Sequence, residues 1–175
     1  VDCWLEYLPQ ETILFDGARL RRNMKVDIHP SARGLAGEIL VFGRRGSGES
    51  YTKGYVKDAW EVHSAGRLVW ADTFLLEGDV TAALNHPVGM DSATAVATMV
   101  YWGEEAGKFI EILRGQFPAN TNLLRVSVSL VNGLLVARWL GNDEWILRTA
   151  YGACWEYLRH LAAGLPPRLP RLWYI

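Results

Sequence analysis

Short apolar runs separated by turn residues fill the first half of the chain. The runs span positions 3–8, 12–15, 19–28, 35–42, 51–62 and 67–76. Between them lie Asp16-Gly17, His29-Pro30-Ser31, Gly43 to Gly48 and Ser64-Ala65-Gly66. This rhythm predicts strands in an antiparallel, meandering or coiled β structure, without alternating strand–helix units. Positions 77–92, with Asn85-His86-Pro87, read as a loop, and strand character returns over 93–102. Positions 104–114 predict a short helix: Ala106, Phe109, Ile110 and Leu113 share one face and Gly115 ends it. Val126, Val128 and Leu130 alternate with Ser127 and Ser129, Asn132-Gly133 is a hairpin turn, and 134–140 is the return strand. The clearest helix runs over 143–163. Its expected inner stripe is Ile146, Ala150, Ala153, Tyr157 and Leu161, with Glu144, Arg148, Glu156 and Arg159 pointing elsewhere. Asn142 is its expected N-cap, and Gly164 then Pro166 stop it. Pro166, Pro167 and Pro170 exclude helix from the tail, whose apolar end Leu172-Trp173-Tyr174-Ile175 is expected to dock on its own domain or on a partner. The expected fold class is mainly β with two helices in the second half.

Composition narrows the classes. The chain has 175 residues, the size of a single unit; 50% are hydrophobic and 21% charged, which gives a real core and excludes bulk disorder. The formal net charge is −1, and no Lys/Arg cluster with interleaved aromatics occurs, so nucleic acid is not an expected partner. Cys3 and Cys154 sit at opposite ends of the chain and read as reduced thiols of a cytoplasmic protein. No apolar run approaches the roughly 20 residues of a membrane helix, and no secretory pattern opens the sequence. Val1-Asp2-Cys3-Trp4 reads as the middle of a strand, so a larger folded unit is expected.

Few residues carry chemistry at a meaningful spacing. Gly43-Arg44-Arg45-Gly46-Ser47-Gly48-Glu49 has the glycines of a phosphate loop. It lacks the following Lys and helix, and Glu49 places a negative charge there, so a flexible turn is the better reading. Positions 35–42 are apolar on both faces, which buries the strand on both sides, yet Glu38 sits at its centre. A buried carboxylate needs a cation, a proton or water. Glu38 is therefore either half of an ion pair, with an arginine such as Arg138, or the polar lining of an internal passage. Glu11 and Asp16 are near in sequence, but a regular strand turns them to opposite faces, and Asp16-Gly17-Ala18 reads as a capped turn. His29, His63, His86 and His160 show no metal spacing, and no G-x-S-x-G occurs. No tightly bound cofactor and no resident metal site are expected.

The segment Trp4-Leu5-Glu6-Tyr7-Leu8-Pro9-Gln10-Glu11-Thr12-Ile13-Leu14-Phe15-Asp16-Gly17-Ala18 resembles the L-E-W-L-P-Q-E-T-I-x-F-x-G-A segment of the urease accessory protein D family, also called H. The resemblance continues in order through Gly37-Glu38-Ile39-Leu40 with Gly43-Arg44, Ser47-Gly48-Glu49, Gly66-Arg67-Leu68 to Asp72, and Leu169-Pro170-Arg171-Leu172-Trp173. The family's Gly-Gly-Asp-rich N-terminal stretch is not matched, which makes the 175 residues resemble the C-terminal portion. The resemblance implies a mainly β, helicoid coil with a pair of helices. It also implies binding of the F-type accessory protein, through it the G-type GTPase, and apo-urease, with nickel in transit. On this view Glu11, Glu38, Glu49, Arg44 and Arg138 line a passage or hold the architecture, and Leu172, Trp173 and Tyr174 meet a partner.

Two other classes compete with a scaffold. A carboxylate-dependent hydrolase with Glu11 or Glu38 as base would need a pocket of converging polar groups. A β-rich binding module would share the scaffold's apolar contact patches, and eight Trp favour such surfaces.

Overall fold

The computed structural model describes residues 3–117 and 120–174; Val1, Asp2, Pro118, Ala119 and Ile175 lie outside them. Nine strands form two mixed sheets, so the molecule is mainly β. They are β1 (Trp4–Tyr7), β2 (Thr12–Leu14), β3 (Arg19–Ile28), β4 (Arg33–Phe42), β5 (Tyr55–Ser64), β6 (Arg67–Leu76), β7 (Ala95–Trp102), β8 (Leu124–Val131) and β9 (Leu134–Gly141). The larger sheet has the order β1-β4-β7-β9-β8, with β2 also paired to β4; the smaller is β3-β5-β6.

The expectation of antiparallel pairing holds for four strand pairs and fails for three. β1 and β2 run parallel to β4, and β3 runs parallel to β5 along its whole length, from Arg19↔Tyr55 to Ile28↔Ser64. The chain's route explains this. After β3 it crosses to the larger sheet as β4 and only then returns as β5. A strand that comes back after a full turn of a coil points the same way as its predecessor.

Among the described residues there are three α-helices: α1 (Val80–Asn85), α2 (Ala106–Gln116) and α3 (Glu144–Ala163). The stretch read as a loop over 77–92 thus contains one short helix, started by Asp79, whose carboxylate accepts the Ala82 N–H at 2.9 Å. The tail, expected to hold no helix, contains one 3₁₀ turn, Arg171–Tyr174, which starts just after Pro170. The N-cap of α3 is Asp143 rather than Asn142, accepting the Ile146 N–H at 2.8 Å, and Gly164 closes the helix at φ 65°. The buried stripe of α3 is Leu147, Tyr151, Cys154, Trp155, Leu158 and Ala162, one position on from the expected stripe. Large aromatics at 151 and 155 dictate that rotation, and Ile146, Ala150, Tyr157 and Leu161 become its half-buried flanks.

β4 is buried on both faces as its sequence requires. One face and its neighbours pack Leu35, Ile39, Met99, Tyr101 and Trp139 against α2 and α3. There α3 approaches so closely that a Cβ on Gly37 would collide with the Tyr151 hydroxyl and lie 2.6 Å from the Thr98 carbonyl. The other face meets the smaller sheet through two separate apolar clusters. One gathers Trp60, Trp70, Trp102 and Val136; the other gathers Leu14, Leu40, Phe42, Tyr51, Val56 and Leu76.

Candidate functional site

A polar belt lies between the two sheets. Strand register places Glu38, Thr98, Arg138 and Ser127 in one row across β4, β7, β9 and β8. Period-2 alternation sends all four side chains to one face, toward the smaller sheet. That sheet answers with one charged residue in the inward phase of each strand: Arg22 on β3, Asp58 on β5 and Asp72 on β6.

Glu38 is 7% exposed and fully engaged. One carboxylate oxygen accepts Trp60 Nε1 at 2.5 Å and the other meets the Arg22 guanidinium. Arg22 also holds Asp58, with Nε 2.9 Å from Oδ1 and a second contact through Nη2. Its Nη1 reaches Thr12 Oγ1 at 3.4 Å. One guanidinium thus bridges two buried carboxylates. Burial pushes the Asp58 carboxyl above its ordinary value, and the hydrogen bonds and charge of Arg22 pull it back. The pair expected between Glu38 and Arg138 does not form. Arg138 sits two strands from Glu38, about 10 Å at normal strand spacing, and gives Nη2 to Asp72 Oδ2 at 2.6 Å.

Beside this row is a cavity of about 510 Å³, with Glu38, Asp72, Thr98, Ser127 and Arg138 in its wall. Leu40, Phe74 and Val96 supply apolar wall between them. The Asp72–Arg138 pair is partly solvent-exposed and marks the mouth, while Glu38 is buried at the inner end. The wall carries two carboxylates, Glu38 and Asp72, and two guanidiniums, Arg125 and Arg138, so its formal charges balance when all are ionised. With Thr98, Ser127 and Asn120 beside them, such a wall is polar enough to hold water.

The remaining sequence candidates fall elsewhere. Glu11 pairs with Arg148 of α3, whose guanidinium carbon lies 4.7 Å from the Trp173 ring centre. Arg44 donates Nε to Glu49 at 2.5 Å, and the guanidinium holds that carboxyl below its ordinary value. Glu49 also accepts the Asp16 N–H at 3.2 Å. Asp16 takes the Thr52 N–H and hydroxyl and the Lys53 N–H at 2.7, 2.9 and 3.0 Å, which lowers its pKa. The turn expected at 16–18 is present, closed by the Ala18 N–H to the Phe15 carbonyl at 2.9 Å, but the Asp16 carboxylate ties it to the 52–53 loop instead of capping it locally. The glycine-rich stretch holds only a short 3₁₀ turn, Arg45–Ser47. Glu11 therefore ties its loop to α3, and Arg44 and Glu49 tie two loops together, away from the belt.

The tail splits. Trp173 is 3% exposed and stacks on Tyr151 with ring centres 5.9 Å apart, so it anchors the tail to its own domain. Leu172 and Tyr174 are exposed, and Ile175 lies outside the described residues.

Sequence reasoning missed Arg22, Asp58 and Trp60 as partners of Glu38. It also missed Glu6, whose carboxylate gathers Trp4 Nε1 at 2.6 Å, Trp155 Nε1 at 3.0 Å and Arg159 Nη1 at 2.9 Å, fastening β1 to α3. Among the described residues, no three His, Cys, Asp or Glu side chains form a metal-binding group, and no helix is long and apolar enough to cross a membrane.

Comparison with known proteins supplies the family. The profile of the UreD urease accessory protein family matches residues 1–174. Urease accessory protein UreD of Magnetococcus marinus is 47% identical over 98% of this chain and 60% of its own length. The proteins of the same name from Methylobacterium sp. and Granulibacter bethesdensis are 42% and 39% identical, each over 97% of this chain and over 59% and 69% of their own lengths. The chain thus spans about three fifths of the length of the Magnetococcus relative. On a profile match along nearly its whole length and identities of this size, the chain belongs to the UreD urease accessory protein family.

Proposed function

We propose that the chain is a scaffold of urease maturation, acting in the cytoplasm without turnover of its own, and that it supports nickel delivery to apo-urease. The observation that carries this reading is the polar belt, where a carboxylate at the buried end of a cavity and a charged pair at its mouth offer a divalent cation a wet path between two apolar clusters. In it Glu38 and Asp72, each held by an arginine, supply carboxylate charge along the path, and Thr98 and Ser127 offer hydroxyl oxygens to the water shell of a hydrated ion. Arg22 lowers the negative charge so that the ion is not trapped. Glu11, Arg44 and Glu49 keep the loops around this core in place.

The partners in this reading are the F-type accessory protein, the G-type GTPase reached through it, and apo-urease. The exposed Leu172 and Tyr174, on a tail fixed by Trp173, supply contact area toward a partner. Co-purification with the F-type and G-type proteins and apo-urease tests the scaffold. Recovery of all in one complex supports it, and failure to retain any of them contradicts it.

A carboxylate-dependent hydrolase finds less support. Both oxygens of Glu38 are occupied, by Trp60 and Arg22, and Glu11 is paired with Arg148, so neither is free to take a proton from water.

A further inference from the structure

We propose that the groove between α3 and the C-terminal segment binds an acidic stretch of a partner polypeptide. The groove has a volume of about 480 Å³ and is lined by Arg159, Arg168, Leu169, Pro170, Arg171 and Tyr174. Among the described residues that line it are three arginines and no acidic residue, in a chain whose net charge is −1. Arg168 and Arg171 are exposed, and neither forms an ion pair among the described residues. Arg159 commits Nη1 to Glu6 and keeps Nε buried with no acceptor among the described residues.

The groove is built, not incidental. Trp173 pins its far wall to Tyr151. Leu169 fits against Gly152, where a Cβ would lie 2.9 Å from its Cδ1. Glu156, the nearby acid on α3, has one oxygen turned to the tail, accepting the Leu169 N–H at 3.1 Å and the Tyr174 hydroxyl at 2.9 Å. Guanidinium forks match carboxylates in a planar, two-point geometry. Exposed Leu172 and Tyr174 at the rim add the apolar and aromatic contact that binding surfaces use beside arginine. The charge is confined to one groove, which favours a short acidic peptide over nucleic acid or a lipid surface.

This inference rests on the scaffold reading only for the partner's identity as a maturation component; the charge match stands without it. The test uses fluorescence anisotropy with a labelled peptide of alternating Glu and Leu and a Lys/Leu counterpart. The Glu peptide binds and the Lys peptide does not. Binding weakens as salt rises to about 0.3 M, where charges are screened within a few ångströms. R168E/R171E weakens it about tenfold or more, equivalent to about 1.4 kcal/mol, while R45E, at an exposed arginine outside the groove, leaves it unchanged. Equal binding of both peptides, wild-type affinity in R168E/R171E, or displacement of the peptide by phosphatidylserine vesicles overturns the proposal. Intact peptide binding with failed co-purification would instead refute only the maturation reading.

Discussion

Replacing Arg22 with Met removes the cation that Glu38 and Asp58 share while keeping most of the side chain's volume. Asp58 is 2% exposed and Glu38 7%. Uncompensating one buried charge costs about 3–5 kcal/mol. The Arg22 side chain is 23% exposed, so water takes up part of the loss and the lower end, about 3 kcal/mol, applies. For a chain of this length that lowers Tm by about 6–12 °C. The loss also depends on pH. Burial already raises the Asp58 carboxyl above 3.8. A carboxyl whose folded pKa exceeds its unfolded pKa binds more protons when folded, so stability falls as pH rises between those two values. Without Arg22 the Asp58 value rises further and the window widens upward. The deficit of R22M is therefore largest at pH 7 and shrinks toward pH 5. Urea denaturation followed by tryptophan fluorescence at both pH values measures it. Adding Asp58→Asn should recover part of the loss, with a coupling of about 1 kcal/mol or more. A deficit below about 1 kcal/mol, or one equal at pH 5 and pH 7, refutes the shared-cation account.

Three further outcomes follow from the packing. Gly37→Ala drives a methyl group into the Tyr151 hydroxyl and should cost about 1–3 kcal/mol by thermal melting. Trp173→Ala should cost about 3–5 kcal/mol and release the tail, so that trypsin cuts at Arg168 and Arg171 far sooner than in wild type. Cys3 is exposed, while Cys154 is buried in an apolar site that pushes its thiol far up. A disulfide reagent should therefore label Cys3 at once and Cys154 only as the protein unfolds.

Much of the sheet structure was legible because period-2 alternation is strong. β3 and β6 begin and end where the pattern places them, and β4 is buried on both sides as its unbroken apolar run demands. Strand direction was not legible. It depends on which sheet each strand joins, and a turn signal does not say whether the chain pairs with its neighbour or crosses over. The buried stripe of α3 was displaced by one residue because counting apolar positions weights alanine like tryptophan, whereas packing follows volume, and Tyr151 and Trp155 fix the rotation. In the candidate site, the need of Glu38 for a partner was clear but its identity was not. The signal lay in the alternation. Arg22 shares the inward phase of Leu20, Met24 and Val26; Asp58 that of Val56, Trp60 and Val62; Asp72 that of Trp70 and Phe74. A charged residue in the apolar phase of three strands implies that those strands meet across a polar layer. The anchoring role of Trp173 was hidden because an apolar tail docks equally well, on sequence alone, within its own domain or on a partner.

The central claim is that the belt carries nickel, and Glu38→Gln tests it most directly. Gln keeps one acceptor, for Trp60 or for Arg22, and its amide NH2 then faces the other donor, while Arg22 retains Asp58. The stability loss should therefore be about 1–3 kcal/mol, the cost of one buried donor left unpaired. With this segment grafted into the full-length Magnetococcus marinus relative, urease activation is measured across a nickel titration beside Tm and co-purification. The account predicts that activation falls at limiting nickel and recovers as nickel rises, with complex formation intact. Activation equal to wild type at every nickel concentration would contradict it.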